Sequence, residues 1–157
     1  MPNSIVSLSV LDLSIKGEAK MPMLELASAI KQTRIANIND PFFITYFQQH
    51  IRALSGDRQW STTIDSIRMT TDTDPNVGKY QEVLVYFEMT PPDPALLRDF
   101  NFRYNAIIHE VVTHKILVFV KQDWKNGIQH GEQIGMIKMD TRSGKVFPMY
   151  INLEHGT

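Results

Sequence analysis

The stretch from Asp99 to Trp124 constrains the fold more than any other part of the chain, because two different strand patterns follow each other within it. Over residues 100–106, aromatic or apolar side chains alternate with Asn and Arg, which is the period of a strand with one buried and one solvated face. Residues 116–120 instead form a short apolar run rich in β-branched side chains, which is typical of a strand covered on both faces. The two segments therefore predict the central strands of a β core.

The length and composition predict a single domain over residues 1–157. The chain has no cysteine, which excludes disulfides, thiolate metal sites and cysteine nucleophiles. Its 16 basic and 17 acidic residues are spread without a charge run, so we expect no nucleic acid partner. No apolar stretch approaches the roughly 20 residues of a membrane-spanning helix, so the sequence as given predicts a soluble domain.

Helical patterns are confined to one segment, at about residues 23–55. Apolar residues at helical spacing predict a short first helix that ends near Thr33. Asp40 and Pro41 predict the start of a second helix, because an Asp caps free amides and a Pro suits the first turn, which needs no donor. Gly56 closes this helix, whose apolar stripe consists of Phe43, Phe47, Ile51 and Leu54. We therefore expect a small helical insertion after the first strand.

The remaining segments have the alternation and the turn residues of strands. The first of these strands is predicted to end in a turn at Lys16-Gly17-Glu18. With the two central strands, they give about seven strands, which predicts a mainly β, immunoglobulin-like β-sandwich with the small helical insertion. The segments are residues 5–15, 60–70, 80–90, 134–139 and 146–153.

The order of these segments resembles the soluble amino-terminal, extramembrane domain of HupE/UreJ-type membrane proteins, from about Ser7 to Leu153. The most specific part runs from Tyr104-Asn105-Ala106-Ile107-Ile108-His109 through His114 to Asp123. The resemblance implies an extracytoplasmic domain, in the periplasm or at the cell surface, that is anchored to a helical membrane part. In that family the membrane part is associated with nickel or cobalt uptake and with hydrogenase and urease maturation. Its metal-binding His and Asp motif is not among these 157 residues, so transport is not carried over, and we expect the native protein to continue into membrane helices.

Metal-competent side chains are concentrated in the segment His109-Glu110-Val111-Val112-Thr113-His114. The two histidines are five residues apart, so they point to opposite faces of one strand and miss the spacing of a zinc-binding His-Glu-x-x-His helix. A pairing across strands would need a turn over residues 110–113, which contain no Gly, Pro, Asn or Asp. We therefore expect no metal and no cofactor. In the alternative, His109, Glu110 and His114 bind nickel or another divalent transition metal, with further ligands from His50, His130 or His155.

Two further groups of residues carry weaker signals. Phe42, Tyr46 and His50 recur at a spacing of four on the second helix and predict a partner-facing patch. His50 also suits a half-buried, hydrogen-bonded position at the edge of the apolar stripe. The second group has the alternating oxygen ligands of a calcium loop, but a Pro in its middle and the missing sharp-turn Gly favour an ordinary hairpin loop. Its members are Asp72, Asp74 and Asn76.

These observations favour a non-catalytic binding or interaction domain of a HupE/UreJ-like membrane protein. Its expected partners are the membrane-helix portion of its own parent protein and other membrane or periplasmic proteins. A periplasmic domain that binds and delivers nickel or cobalt is the first alternative. A small hydrolase that uses His109 and Glu110 is the second, although no nucleophile motif accompanies that pair. We therefore expect no enzymatic activity.

Overall fold

The computed structural model describes residues 3–76, 78–129 and 131–154. These residues form ten strands and two α-helices, so the predicted mainly β fold with a small helical insertion is confirmed. Short 3-10 turns lie at Pro94–Leu96 and Trp124–Asn126. The elements are β1 (Asn3–Val10), β2 (Ile15–Pro22), α1 (Met23–Ala29), α2 (Pro41–His50), β3 (Ile51–Ser55), β4 (Arg58–Gln59), β5 (Ser61–Asp74), β6 (Gly78–Thr90), β7 (Asp99–Tyr104), β8 (Lys115–Asp123), β9 (Glu132–Ile137) and β10 (Met149–Asn152).

The strands form two sheets that share one hydrophobic core. The six-stranded sheet has the order β5-β6-β2-β1-β8-β9, and the four-stranded sheet has the order β10-β7-β3-β4. Inside the larger sheet, β1 is antiparallel to β2 and parallel to β8. The aromatic strand β7 pairs with β3 and β10, and the valine-rich strand β8 pairs with β1 and β9. Each of the two predicted central strands is therefore an interior strand of one sheet.

The two interior strands differ in how completely they are covered. The core-facing side chains of β7 are at most 1% exposed, as the alternation predicts, and they are Phe100, Phe102 and Tyr104. The prediction that β8 is covered on both faces was wrong, since Leu117 and Phe119 on its other face are only half-buried. The larger sheet therefore has one fully buried face at this strand.

The second helix begins where the sequence predicts but ends earlier. Asp40 caps α2 by accepting a hydrogen bond from the Phe42 amide at 3.0 Å, and Pro41 occupies the first turn. The predicted extension of the helical insertion to about residue 55 was wrong, because Ile51 leaves the helix and pairs with Tyr104 of β7. Pairing with β7 thus overrides the helical spacing of the apolar stripe.

The first helix ends in a left-handed residue. The Gln32 amide donates to the carbonyl of Ala27 at 2.8 Å. The Lys31 amide donates to the carbonyl of Ser28 at 3.0 Å, which completes the hydrogen bonds of a Schellman motif. Lys31 has a φ of 60°, a conformation in which glycine is the usual residue. The helix therefore ends before the predicted Thr33. Neither of the helices in the described part of the chain is long and apolar enough to span a membrane.

The predicted count of about seven strands was too low, because β2, β3 and β4 were missed. The turn expected at residues 16–18 lies inside β2, and the actual turn is closed by the Leu11 amide, which donates to the carbonyl of Ser14 at 2.9 Å. Gly17 serves a packing role in this strand, since a Cβ atom there would lie 2.1 Å from Cζ of Phe87. A glycine that the sequence suggests as a turn residue thus makes room for a buried aromatic ring.

Candidate functional site

Side chains of α2 meet side chains of the loop that follows β7. The spacing of Phe42, Tyr46 and His50 places them along one side of α2. Tyr46 and His50 contact Asn105 and His109, which follow β7 in the chain. We call the group formed by Tyr46, His50, Asn105 and His109 the histidine cluster.

A strained backbone turn brings the loop over α2. The Asn105 amide donates to the carbonyl of His50 at 3.1 Å, and two residues later Ile107 adopts a φ of 68°. This left-handed conformation is rare for a β-branched residue. Two features stabilise this conformation. The Ile107 side chain is fully buried, and the Ile107 amide donates to the Tyr46 hydroxyl at 2.9 Å. The His109 amide then bonds back to the carbonyl of Asn105 at 3.2 Å, which closes the turn.

The two imidazoles of the histidine cluster stack on each other. Their ring centroids are 4.4 Å apart, and the ring planes differ by 3°. Nδ1 of His50 donates to the amide oxygen of Asn105 at 2.8 Å, so this nitrogen carries the proton. The Tyr46 hydroxyl, which already accepts from the Ile107 amide, donates to Nε2 of His109 at 2.9 Å. Each ring is thus fixed in both orientation and tautomer by a neighbouring side chain.

The histidine cluster is uncharged at neutral pH. Burial lowers the pKa of His50 despite the opposing hydrogen bond to Asn105, and the nearby Arg52 charge lowers it further. Burial and the neighbouring His50 lower the pKa of His109 and outweigh the raising effect of Glu110. Burial raises the pKa of Tyr46 to about 12. The rings therefore present neutral nitrogen atoms and aromatic faces.

The geometry of the histidine cluster limits its chemistry. The nitrogen lone pairs of an imidazole lie in the ring plane, so two parallel stacked rings do not direct their lone pairs at one metal ion. Among the described residues, neither Nε2 of His50 nor Nδ1 of His109 has a hydrogen-bond partner, so each ring keeps one nitrogen for an external ligand. Nδ1 of His109 lies 3.9 Å from Oε1 of Glu110, which is too long for a hydrogen bond between an acid–base pair.

The three members of the predicted partner-facing patch differ in exposure. The Phe42 side chain is 51% exposed and stacks on Tyr46 with a centroid distance of 6.1 Å. Tyr46 itself is only 6% exposed, and His50 is half-buried. The surface of this patch is therefore formed by Phe42 and the half-buried His50, together with the half-buried His109, and Tyr46 lies buried between them.

His114 lies in a different environment from His109. It is fully buried, and its Nε2 lies 2.6 Å from Oγ of Ser4 on β1. Burial lowers the pKa of His114 to about 4. The structure therefore does not bring His109, Glu110 and His114 together, and the described residues contain no group of three or more His, Cys, Asp or Glu side chains that could hold a metal ion.

The calcium-like loop is the turn of the β5–β6 hairpin. The ladder continues to the pair Asp74 and Gly78, so the turn is shorter than the sequence predicts. The Asn76 amide donates to Oδ1 of Asp74 at 2.7 Å, as in an ordinary Asx turn. Asp72 faces the ammonium of Lys20 at 3.8 Å. Val77 of this loop, and the possible ligands His130 and His155, lie outside the described residues.

Sequence reasoning grouped Tyr46 with His50 in one patch and identified His109 separately, but it did not predict that His109 contacts the other two. The two histidines lie on separate segments, and no motif links their positions. Asn105 was missed as a member of the site, because a single Asn after an aromatic strand is common at strand ends. Only the antiparallel pairing of β3 with β7, which places residue 50 beside residue 105, brings these side chains together.

The chain matches no known protein-family model, and no curated protein matches it. The function of the histidine cluster is therefore inferred from its own geometry.

Proposed function

We propose that this domain is a non-catalytic binding module that docks a protein partner through Phe42, His50 and His109, which we call the docking face. The observation that carries this proposal is the pair of stacked imidazoles, fixed by Tyr46 and Asn105 beside a half-exposed phenylalanine ring. Rigid aromatic side chains lose little conformational entropy on binding, and aromatic anchors carry much of the free energy of protein interfaces. Because the imidazoles are neutral, the docking face suits an apolar or aromatic surface.

The strained turn at Ile107 supports the same proposal. A left-handed β-branched residue persists only when the surrounding structure holds it, and such strain is concentrated at functional sites. Here the strain has a local result: it turns His109 back onto His50. The turn that costs the fold stability is therefore the same turn that sets the geometry of the docking face.

The resemblance to HupE/UreJ-type proteins suggests the partner. On this proposal the domain is extracytoplasmic and membrane-anchored, and the docking face contacts the membrane-helix portion of its own parent protein or another membrane or periplasmic protein. The alternatives have less support. A nickel or cobalt delivery domain would need ligands that converge, and a hydrolase would need a closer contact between His109 and Glu110.

The test begins with the native gene and then uses site-specific photo-crosslinking. If the gene continues beyond the codon for residue 157 and encodes membrane-spanning helices, the assignment to a membrane parent protein is supported. A photoreactive amino acid is then placed at Phe42 in the native protein, and the crosslinked products are identified by mass spectrometry. The matched control is Leu13, which is 65% exposed in the turn between β1 and β2.

The proposal predicts a crosslink from position 42, but not from position 13, to the membrane helices of the same chain or to a defined membrane or periplasmic protein. Phe42→Glu should abolish the interaction without unfolding the domain, because the ring is half-exposed. Equal crosslinking from both positions, or an interaction unaffected by Phe42→Glu, would refute the docking face. A stop codon after residue 157 would remove the parent-protein assignment alone.

A further inference from the structure

Two arginines lie opposite each other on the outer side of the four-stranded sheet. The β3–β7 ladder pairs Arg52 directly with Arg103. The neighbouring pair on this ladder, Ile51 with Tyr104, is buried in the core. Because side chains alternate along a strand, both arginines point away from the core. We call Arg52 and Arg103 the arginine pair.

The arginine pair has no counter-charge within the part of the chain that the structure describes. Neither side chain forms an ion pair or a hydrogen bond with a described residue. The carboxylate on the same face of β7, that of Asp99, accepts from the Tyr150 hydroxyl at 2.7 Å. Like charges directly opposite each other destabilise a sheet, and an anion between them relieves the repulsion.

The charged end of Arg52 is open to solvent although the residue is half-buried. Its Nε atom is buried and has no hydrogen-bond partner among the described residues. Its two terminal nitrogens also make no bond to those residues, but they are solvent-accessible. Arg103 is exposed. The terminal nitrogens of a guanidinium bind a carboxylate through parallel, charge-assisted hydrogen bonds, so an approaching carboxylate can reach both arginines.

The arginine pair lies next to the docking face. Beyond the pair of Ile51 with Tyr104, the ladder continues by one backbone bond, in which the Asn105 amide donates to the carbonyl of His50 at 3.1 Å. The side chains of His50 and Asn105 therefore lie two positions from the arginine pair, on the same side of the sheet. Two residues of an antiparallel strand span about 7 Å, so an extended segment can contact His50 and the arginine pair with side chains two residues apart.

The charges beside the two stacked imidazoles are opposite in sign. Burial is the main cause of the lowered pKa of His50, and the charge of Arg52 lowers this pKa further. Burial and the neighbouring His50 lower the pKa of His109, whereas Glu110 raises it. The docking face therefore has positive charge beside His50 and negative charge beside His109, which favours an anionic group of a partner at the His50 end.

We propose that the segment bound at the docking face carries a carboxylate, from an Asp or Glu two residues from its aromatic or apolar anchor, and that the arginine pair binds this carboxylate. This inference rests on the proposed function, since it names the chemistry of the partner at the same face. The anchor packs on Phe42 and the imidazoles, and the carboxylate supplies the missing counter-charge of Arg52 and Arg103.

The test is a titration of the isotope-labelled, untagged protein with synthetic peptides, followed by nuclear magnetic resonance. The peptide acetyl-Glu-Ser-Phe-Ser-Glu-amide has a carboxylate two residues from its aromatic ring in either chain direction. The Gln peptide replaces both of its Glu residues, and the Ala peptide replaces its Phe residue. At millimolar concentration the Glu peptide should shift the amide signals of residues 50–54 and 101–105 to saturation. The Gln peptide should bind about tenfold more weakly, because it lacks the charge-assisted contact.

Two variants connect the preference for the Glu peptide to the arginine pair. Arg52→Gln and Arg103→Gln should each reduce the preference to about threefold or less, because each removes half of the positive charge. Arg142→Gln is the matched control and should keep the full preference, because Arg142 is exposed in the turn at residues 140–145 and its loss changes the net charge equally. None of the three arginines is buried, so the variants should fold.

The possible results separate this inference from the proposed function. Equal binding of the Glu and Gln peptides, a preference that neither arginine variant reduces, or no saturable shift with any peptide would overturn the inference. The crosslink from Phe42 tests the docking face without these peptides. Equal binding of the Glu and Ala peptides, with a dependence on Arg52 and Arg103, would support the carboxylate contact and count against the docking face.

Discussion

Glycine substitutions at two positions should change stability in opposite directions. Among the described residues, Lys31 and Ile107 are the non-glycine residues with a positive φ, of 60° and 68°. Both positions therefore carry left-handed backbone strain, which is greater at the β-branched Ile107. Their side chains differ, because Lys31 is exposed at the end of α1, whereas Ile107 is fully buried beneath the histidine cluster.

Lys31→Gly should stabilise the protein by about 0.5 to 1 kcal/mol. The left-handed conformation costs a residue with a Cβ atom about 1 to 2 kcal/mol, which glycine avoids. Glycine also gives the unfolded chain more conformational entropy, which reduces this stabilisation by about 0.4 to 1 kcal/mol. No packing is lost, because the lysine side chain is exposed. For a chain of this size, the melting temperature should rise by about 1 to 4 °C.

Ile107→Gly should instead destabilise the protein by about 1.5 to 4 kcal/mol. Glycine relieves backbone strain here by at least as much as at Lys31, but truncating a buried isoleucine to alanine already costs about 2 to 5 kcal/mol. The further loss of a methyl group and the added chain entropy of glycine offset most of this relief, so the net loss stays close to the cost of the truncation. The change in the free energy of unfolding should therefore have opposite signs at the two positions, which distinguishes the effect of backbone strain from that of side-chain packing.

The assay is urea unfolding followed by tryptophan fluorescence, with the buried Trp60 as the internal probe. Lys31→Ala is the matched control: it removes the lysine side chain but keeps the Cβ atom, so it should give no gain. A destabilised Lys31→Gly protein, or a gain equal to that of Lys31→Ala, would refute the assignment of strain at this position. A stabilised Ile107→Gly protein would contradict the packing argument.

Three further predictions address the core, the buried histidine and the metal alternative. Phe47→Ala should lower the free energy of unfolding by about 3 to 5 kcal/mol in the same urea assay, because the ring is fully buried, and a loss below about 1 kcal/mol would contradict this packing. The pKa of His114 is about 4 in the folded protein and 6.5 in the unfolded chain. Between these pH values the unfolded chain binds more protons than the folded protein, so the free energy of unfolding should fall as the pH drops from 6.5 to about 4. The loss is about 3 kcal/mol, and unfolding curves between these pH values should show it reduced in His114→Gln, with the remaining slope coming from the other groups that titrate in this range, including His50 and His109. Calorimetric titration with nickel, zinc or cobalt should show no one-to-one site of submicromolar affinity, whereas such a site abolished by both His109→Ala and His114→Ala would favour the delivery alternative.

The fold could be predicted from the sequence where local patterns and tertiary structure agree. The alternation of β7 and the Asp40-Pro41 start of α2 each depend on a few neighbouring residues, and both were predicted correctly. The end of α2 was not, because Ile51 continues the helical spacing but pairs with Tyr104, a contact that no local pattern encodes. Gly17 was misplaced for the same reason, since its role depends on the ring of Phe87, which is distant in the sequence but lies in the neighbouring strand β6.

The histidine cluster could likewise be predicted only in part from the sequence. The sequence identified its aromatic and imidazole side chains, because these residue types are few and their positions on α2 follow the helical repeat. The left-handed turn at Ile107 gave no local signal, since isoleucine disfavours that conformation. The position of His109 over His50 therefore depends on a turn that the surrounding packing imposes on the chain.

Because β1 lies between β2 and β8, the larger sheet can be completed only after β8 has been synthesised. The first edge of β1 pairs with β2 as soon as the second strand is made, but its other edge pairs with β8, where Asn3 meets Lys115. Domains begin to fold on the ribosome from the amino terminus, and pairings distant in sequence form slowly. Until β8 emerges, the nascent sheet made from β5, β6, β2 and β1 has an open strand edge, a form that associates readily with other chains. Fragments that end before residue 115 should therefore aggregate, and the shortest fragment that stays monomeric should include β8.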